Sequence, residues 1–211
     1  AQWSSLIREG LRLSQFPEAK IYLQITRGQA PRDHPFPVSS APATALTLRE
    51  RRPLDVSVRG AGVQAMSVED IRWGRCDIKS VNLLANVLAR QRAKEAGVFE
   101  AILVREGTVT EGSVSNVMVV RNGAVQTAPE GLRILSGVTR TIVLDLARKE
   151  GIPVAESFVT REELLAASEV FLTGTTVEVL PVVRVDGHAI GGGSPGPVSQ
   201  LLSRRFEALI G

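Results

Sequence analysis

The chain has 211 residues, 25 Lys and Arg against 22 Asp and Glu, a formal net charge of +3 and 44% hydrophobic residues. That is the composition of an ordinary globular protein, long enough for one large domain or one and a half small ones. Aromatic residues at 4% and the lack of a Lys/Arg block argue against nucleic acid as a partner. A single cysteine excludes an internal disulfide, and with only two histidines it leaves no metal-ligand cluster. No apolar run suffices to cross a bilayer and no signal-peptide pattern is read, so the expectation is a cytoplasmic enzyme without a membrane partner.

Taken in order, residues 2–14 space apolar side chains as a helix does, with Trp3, Leu6, Ile7 and Leu11 on one stripe, and Pro17 ends it. Residues 21–28 read as a strand, 29–37 as a loop stiffened by Pro31, Pro35 and Pro37, and 43–49 as a second strand. Glu50-Arg51-Arg52-Pro53 reads as a linker between a partial small domain, 1–52, and a larger domain, 53–211. No Met precedes Ala1, and the opening helix looks like entry part-way through a domain, so the natural protein is expected to be longer.

The larger domain alternates strand and helix signals. Residues 62–68 read as a strand. Ser80 is placed as the cap of a helix running to about Ala96, with Leu83, Leu84, Val87 and Leu88 as its buried stripe. Further strands are read at 100–105, 114–120, 124–127, 153–158, 169–173 and 179–185. Asn122-Gly123 and Asp186-Gly187 are two-residue hairpin signals. Helices are expected at 138–149, ended by Gly151, and from Thr160, which with Glu163 makes a capping box, through Ala167. A third is expected at 197–210. Gly191-Gly192-Gly193 is a flexible loop, Cys76 a packed thiol rather than a nucleophile, and His188 an exposed residue beyond a hairpin turn.

The residues with chemical potential fall in four blocks. Lys79 ends Asp70-Ile71-Arg72-Trp73-Gly74-Arg75-Cys76-Asp77-Ile78-Lys79-Ser80. Glu111 opens Glu111-Gly112-Ser113-Val114-Ser115-Asn116. The third block is Ile134-Leu135-Ser136-Gly137-Val138-Thr139-Arg140, and the fourth is Thr173-Gly174-Thr175-Thr176-Val177-Glu178. By themselves, Lys79 reads equally as a surface cation before a helix, Glu111 as an exposed turn acid and Arg72 as a cation stacked on Trp73. Val138-Thr139 reads as an ordinary helix start and Thr175 as part of a polar loop.

In this order the four blocks resemble fold-type IV pyridoxal phosphate enzymes. That family holds branched-chain aminotransferases, D-amino-acid aminotransferases and aminodeoxychorismate lyases. With Pro31-Arg32-Asp33-His34 and Val68-Glu69-Asp70-Ile71-Arg72-Trp73 the spelling is most similar to bacterial D-amino-acid aminotransferases. The resemblance implies an α/β (α+β) architecture, a partial small N-terminal α/β domain followed by a larger pseudo-barrel domain. It implies pyridoxal 5'-phosphate held as a Schiff base on the catalytic Lys79. Glu111 would keep the pyridine nitrogen protonated so that the ring accepts electrons. Val138 and Thr139, at a helix start, and Thr175 would hold the phosphate, and Arg72 would approach the phenolic oxygen.

Arg32 and His34 would trap the substrate carboxylate, a role for which a guanidinium fork is shaped, and would reach the active site of the other subunit of a homodimer. A surface Arg-His pair in a proline-rich loop is the rival reading. The implied reaction is transamination of a D-amino acid with a 2-oxo acid, of the D-alanine/2-oxoglutarate type. The alternatives are a branched-chain L-amino-acid aminotransferase, an aminodeoxychorismate lyase, or a non-catalytic truncated relic of the fold. Two departures stand out. Gly174 sits where the family turn usually carries Ser or Thr. The elements that ordinarily precede the first helix, bringing an arginine to the phosphate and a tyrosine to the substrate pocket, are not among these residues.

Overall fold

In the computed structural model, which describes residues 2–210, the chain divides into two compact units, Ala1–Pro53 and Leu54–Gly211. The first holds α1 (Gln2–Ser14), β1 (Ala19–Thr26) and β2 (Ala43–Glu50), the strands pairing antiparallel from Ala19↔Glu50 to Thr26↔Ala43. The helix stops short of Pro17, and Gln15 after it turns left-handed at φ 56°. Gly10 lets α1 lie close on β2, since a Cβ there would stand 2.8 Å from the Leu48 side chain.

The second unit runs through α2 (Val56–Ala61), β3 (Val63–Glu69), α3 (Leu84–Glu95), β4 (Glu100–Arg105), β5 (Thr108–Gly112), β6 (Asn116–Arg121), β7 (Ala124–Thr127), α4 (Val138–Lys149) and β8 (Val154–Glu156). It continues through β9 (Val159–Thr160), α5 (Arg161–Leu165), β10 (Glu169–Gly174), β11 (Glu178–Val185), β12 (His188–Ala189) and α6 (Pro197–Ile210). Its ten strands form one mixed sheet in the order β8-β7-β6-β10-β11-β3-β4-β5-β9, with β12 on β11.

Chain connectivity dictates the shape of that sheet. On the path β6-β10-β11-β3-β4-β5, strands β5 and β6 are five places apart, yet only residues 113–115 join them. A flat sheet would separate them by about 24 Å. Four Cα–Cα steps reach about 15 Å at most. The sheet therefore curls into a half-barrel, and Gly112 N donates to Ser115 O (2.7 Å) across the seam.

Both faces of the curled sheet are buried, so its strands read as nearly continuous apolar runs. Val117 and Val119 of β6 and Val170 and Leu172 of β10 pack in one cluster with Val63, Ile102 and Leu180. The alternate residues Met118, Val120 and Phe171 pack with Val143, Leu144 and Ala147 of α4 and Leu202 and Phe206 of α6. Both hairpins form as expected, with Asn122, Gly123, Asp186 and Gly187 all at positive φ, and Thr160 and Glu163 make the capping box of α5.

One helix differs from expectation. α3 begins at Leu84, not after Ser80, and no side chain caps it; Ser80 Oγ only accepts from Asn82 N at 3.3 Å. The expected stripe faces outward, with Leu83, Leu84, Val87 and Leu88 52%, 70%, 59% and 47% exposed. Ala85, Ala89 and Ala93 share the same helical spacing and form the inward face, because small side chains let the helix settle on Ala101 and Leu103 of β4. α2 and β5 were not expected from the sequence. The latter carries one core side chain, Val109, among polar residues.

Candidate active site

Three chain segments meet beside the seam: the stretch leaving β3, the β5–β6 connection, and the loop entering α4. Asp70 continues the β3 ladder, its N–H donating to Val104 O at 2.8 Å, which aims its side chain into the protein. Arg72, two residues on in extended chain, lies on the same side. Its Nε and Nη2 grip the two Asp70 oxygens at 2.9 Å each, a bidentate fork, and Nη2 also donates to the Arg133 carbonyl at 3.1 Å. Its Nη1 donates to Glu111 Oε1. The other Glu111 oxygen accepts from Asn116 Nδ2 at 3.0 Å and from Leu135 N at 3.1 Å, and Asn116 also donates to Leu135 O at 2.9 Å. Thr110 Oγ1 (2.9 Å) and Arg105 (3.0 Å) complete the Asp70 shell.

The two carboxylates and two guanidinium groups balance in charge, and Asp70, Arg72 and Glu111 are all shut from solvent. Burial opposes the Asp70 charge, but Arg72 outweighs it and holds the carboxyl at about 2. For Glu111 burial prevails and raises its carboxyl above the usual range, with Arg72 pulling the other way. Glu111 is thus a buried acid whose charge depends on having cationic or N–H partners.

Lys79 sits in the irregular stretch before α3, which is pinned to the loop entering α4 by Cys76 N donating to Leu132 O (2.9 Å). Its side chain is exposed, and among the described residues no hydrogen bond or ion pair engages it. Arg72 is fully engaged with its carboxylates. Among the described residues the arginines that lie over aromatic rings are Arg27, Arg90 and Arg133, so the alternative of stacking on Trp73 is not what the structure shows. Cys76 is buried, and burial pushes its thiol up, as suits a packing residue.

Helix α4 starts at Val138, with Gly137 at its N-cap and no side chain capping its free N–H groups. Val138 is exposed and Thr139 buried. Arg140 next to them is committed elsewhere, donating to Ala128 O and pairing with Glu156, both at 2.8 Å. Thr175 is exposed in the turn after β10. Just before it, Thr173, directly opposite Asn116 in the ladder, is fully buried, and its hydroxyl has no partner. Arg32 and His34 lie in the first unit, both exposed, the His34 N–H donating to Asp33 Oδ1 at 2.7 Å.

Sequence reasoning passed over Asp70, Thr110, Asn116, Leu135 and Thr173. The Asp70-x-Arg72 spacing in extended chain was the available signal for the first. The rest are brought in by the seam.

Two outcomes follow from this network. Asp70 is held below its ordinary range, so its stabilisation is present above about pH 4 and lost as pH falls toward 2, amounting to about 2 kcal/mol at neutral pH. Asp70→Asn should lose roughly that in urea unfolding at pH 7, with the gap to the parent closing between about pH 4 and 2. A gap independent of pH would contradict the charge argument. A Cβ on Gly137 would stand 2.2 Å from Asn116 Oδ1, and Asn116 is pinned by Glu111 and Leu135. Gly137→Ala should therefore destabilise by about 1–3 kcal/mol in thermal melting, and a parent-like melting point would count against the pinning.

The profile of the amino-transferase class IV family matches residues 1–185. The chain is 45% identical over its whole length to a D-alanine aminotransferase of Bacillus licheniformis, spanning 74% of that protein. Among solved structures it is similar to the branched-chain amino acid aminotransferase of Escherichia coli, with a TM-score of 0.85 and 28% identity over 96% of this chain and 69% of that one. It is also similar to the branched-chain aminotransferase of the archaeon Thermoproteus uzoniensis, solved with norvaline, with a TM-score of 0.85 and 29% identity over 99% of this chain and 70% of that one. A buried acid held by Arg72 beside an uncapped helix start thus stands in a known setting: the chain belongs to the class IV aminotransferases, enzymes that work with pyridoxal 5'-phosphate.

Proposed function

We infer that this aminotransferase moves the amino group of a D-amino acid to a 2-oxo acid, of the D-alanine/2-oxoglutarate type. The observation that carries the reading is identity of 38–45% with D-alanine aminotransferases, against 28% and 29% with the two branched-chain enzymes. Arg32 and His34 add to it as a guanidinium and an imidazole suited to a substrate carboxylate.

The site suits pyridoxal phosphate in three respects. Glu111 is a buried acid with one acceptor position, on Oε1, left for a ring N–H. The first N–H groups of α4 are uncapped, an arrangement that favours a phosphate. Thr173 holds a buried hydroxyl without a partner. The cofactor supplies an electron sink for the bonding pair left when the substrate α proton departs. The rest is the work of this chain. The Lys79 amine, unengaged by other side chains, would carry the cofactor aldehyde until the substrate amine displaces it and, once freed, would move the proton between the substrate α carbon and the cofactor C4'. Glu111, its charge secured by Arg72, Asn116 and Leu135 N, would keep a proton on the ring nitrogen. Val138, Thr139 and Thr175 would take the phosphate, and Arg72, paired with Glu111, would approach the phenolic oxygen.

The same reading makes the protein a cytoplasmic homodimer, in keeping with a free thiol that a reducing compartment leaves intact. Among the described residues no helix is long and apolar enough to cross a membrane. The outward stripe of α3 supports a second copy as its cover. It borders a cleft of about 500 Å³ lined by Leu83, Val87, Phe99 and Val114, and Val114 belongs to the seam beside Glu111.

On reconstitution with pyridoxal phosphate, kcat/KM for D-alanine should exceed that for L-leucine by about a hundredfold. Lys79→Ala should lose about a thousandfold in turnover. Preference for L-leucine would point to the branched-chain reaction, acceptor-free pyruvate release from aminodeoxychorismate to the lyase, and an undiminished Lys79→Ala variant would remove the lysine's role. Sedimentation should give twice 22.7 kDa, falling to the single-chain mass in Val87→Glu; a parent sedimenting at the single-chain mass would refute the dimer.

A further inference from the structure

Glu100 takes no part in the network around Glu111, and nothing in the proposed chemistry uses it. It is the first residue of β4, and it is wholly shut from solvent. One carboxylate oxygen accepts the Ser113 hydroxyl and, at 2.9 Å, the Ala101 N–H, while the other accepts the Ser115 hydroxyl at 2.9 Å. Arg90 stands 3.6 Å from it, its own side chain 41% exposed. A buried charge is costly, and these bonds satisfy it without placing it near any reacting group.

What the carboxylate secures is the connection between β5 and β6. Both serines point down onto it, and Val114 between them is 64% exposed. The backbone follows suit. Ser113 N donates to Ala101 O at 2.9 Å, and Asn86 Nδ2 donates to Ser113 O at 2.8 Å. A Cβ on Gly112 would come within 2.2 Å of Ser115 Oγ and 3.3 Å of the Glu100 carboxyl carbon. Glu111 stands just before this clamped stretch, and Asn116 just after it donates to Glu111. The far side of the loop meets the turn after β10, since a Cβ on Gly174 would lie 3.6 Å from Val114 O.

We propose that Glu100 is a positioning residue for the reaction. By clamping Ser113 and Ser115 it sets the reach between Glu111 and Asn116, and so holds the acid that faces the cofactor ring nitrogen. The proposal rests on the reading of Glu111 given above.

The test compares the full chain with Glu100→Gln, which keeps the volume but puts a donor where one serine hydroxyl needs an acceptor, and with Ser115→Ala, which removes one clamp bond and leaves the carboxylate. In Glu100→Gln, kcat for D-alanine should fall about tenfold with KM within about twofold. The pH dependence of the bound cofactor's visible absorbance should also move, because the ring nitrogen partner has shifted. Without cofactor, amide exchange at residues 112–116 should accelerate about tenfold while β10 and β11 stay protected. Ser115→Ala should show the same changes in smaller measure.

Parent-like kcat, absorbance and exchange in both variants would overturn the proposal. So would a kcat loss matched by lost folded protein with the absorbance profile unmoved. A parent chain that takes up no cofactor would overturn the reading of the site itself, and the proposal with it.

Discussion

A connection of three residues between β5 and β6 is the constraint on which the second unit depends. Because those strands lie five places apart in the sheet, the short link forces the sheet to curl, and curling turns two ends of the ladder into neighbours. Glu111 is on one lip of that seam and Asn116 on the other. Their hydrogen bond, and the Leu135 backbone that both of them meet, exist only because the sheet has nearly closed. The same closure leaves both faces buried, one filled by aliphatic side chains of the strands and the other by α4 and α6.

Within the seam, electrostatics decides the outcome. Burial in that interior works against the charge that Glu111 needs as a partner for a protonated ring nitrogen. Arg72 supplies the opposing charge, and Asp70 keeps Arg72 in place as a bidentate partner. Removing one partner of such a buried pair leaves the other charge uncompensated, so the network is as much a stability element as a chemical one. Its members come from the stretch after β3, from β4, β5 and β6, and from the loop before α4, so that the site and the core are assembled together.

Much of this was legible in the sequence where the signal is local. The limits of α4 and α6 followed from apolar spacing and flanking Gly and Pro, the hairpins from Asn122-Gly123 and Asp186-Gly187, and the α5 cap from Thr160 and Glu163. Where two stripes of equal period competed, as on α3, bulk was a poor guide. Leucines and valines looked like the core, but the alanines allow the close approach. The four site blocks were visible as ordered motifs. The contacts that organise them were not, because Asp70, Asn116, Thr173 and Glu100 gain their roles only when distant strands meet, and periodicity carries no information about which strands those are.

The central claim is that Glu111 is kept charged and correctly aimed by Arg72 and Asn116 so as to serve the cofactor ring. An experimental structure with pyridoxal phosphate bound is the direct measurement. The account predicts a Glu111 carboxylate oxygen within about 3.2 Å of the ring nitrogen, with the bonds from Arg72, Asn116 and Leu135 N retained. A ring nitrogen facing another group, or a Glu111 that must abandon Arg72 to reach it, would contradict the account.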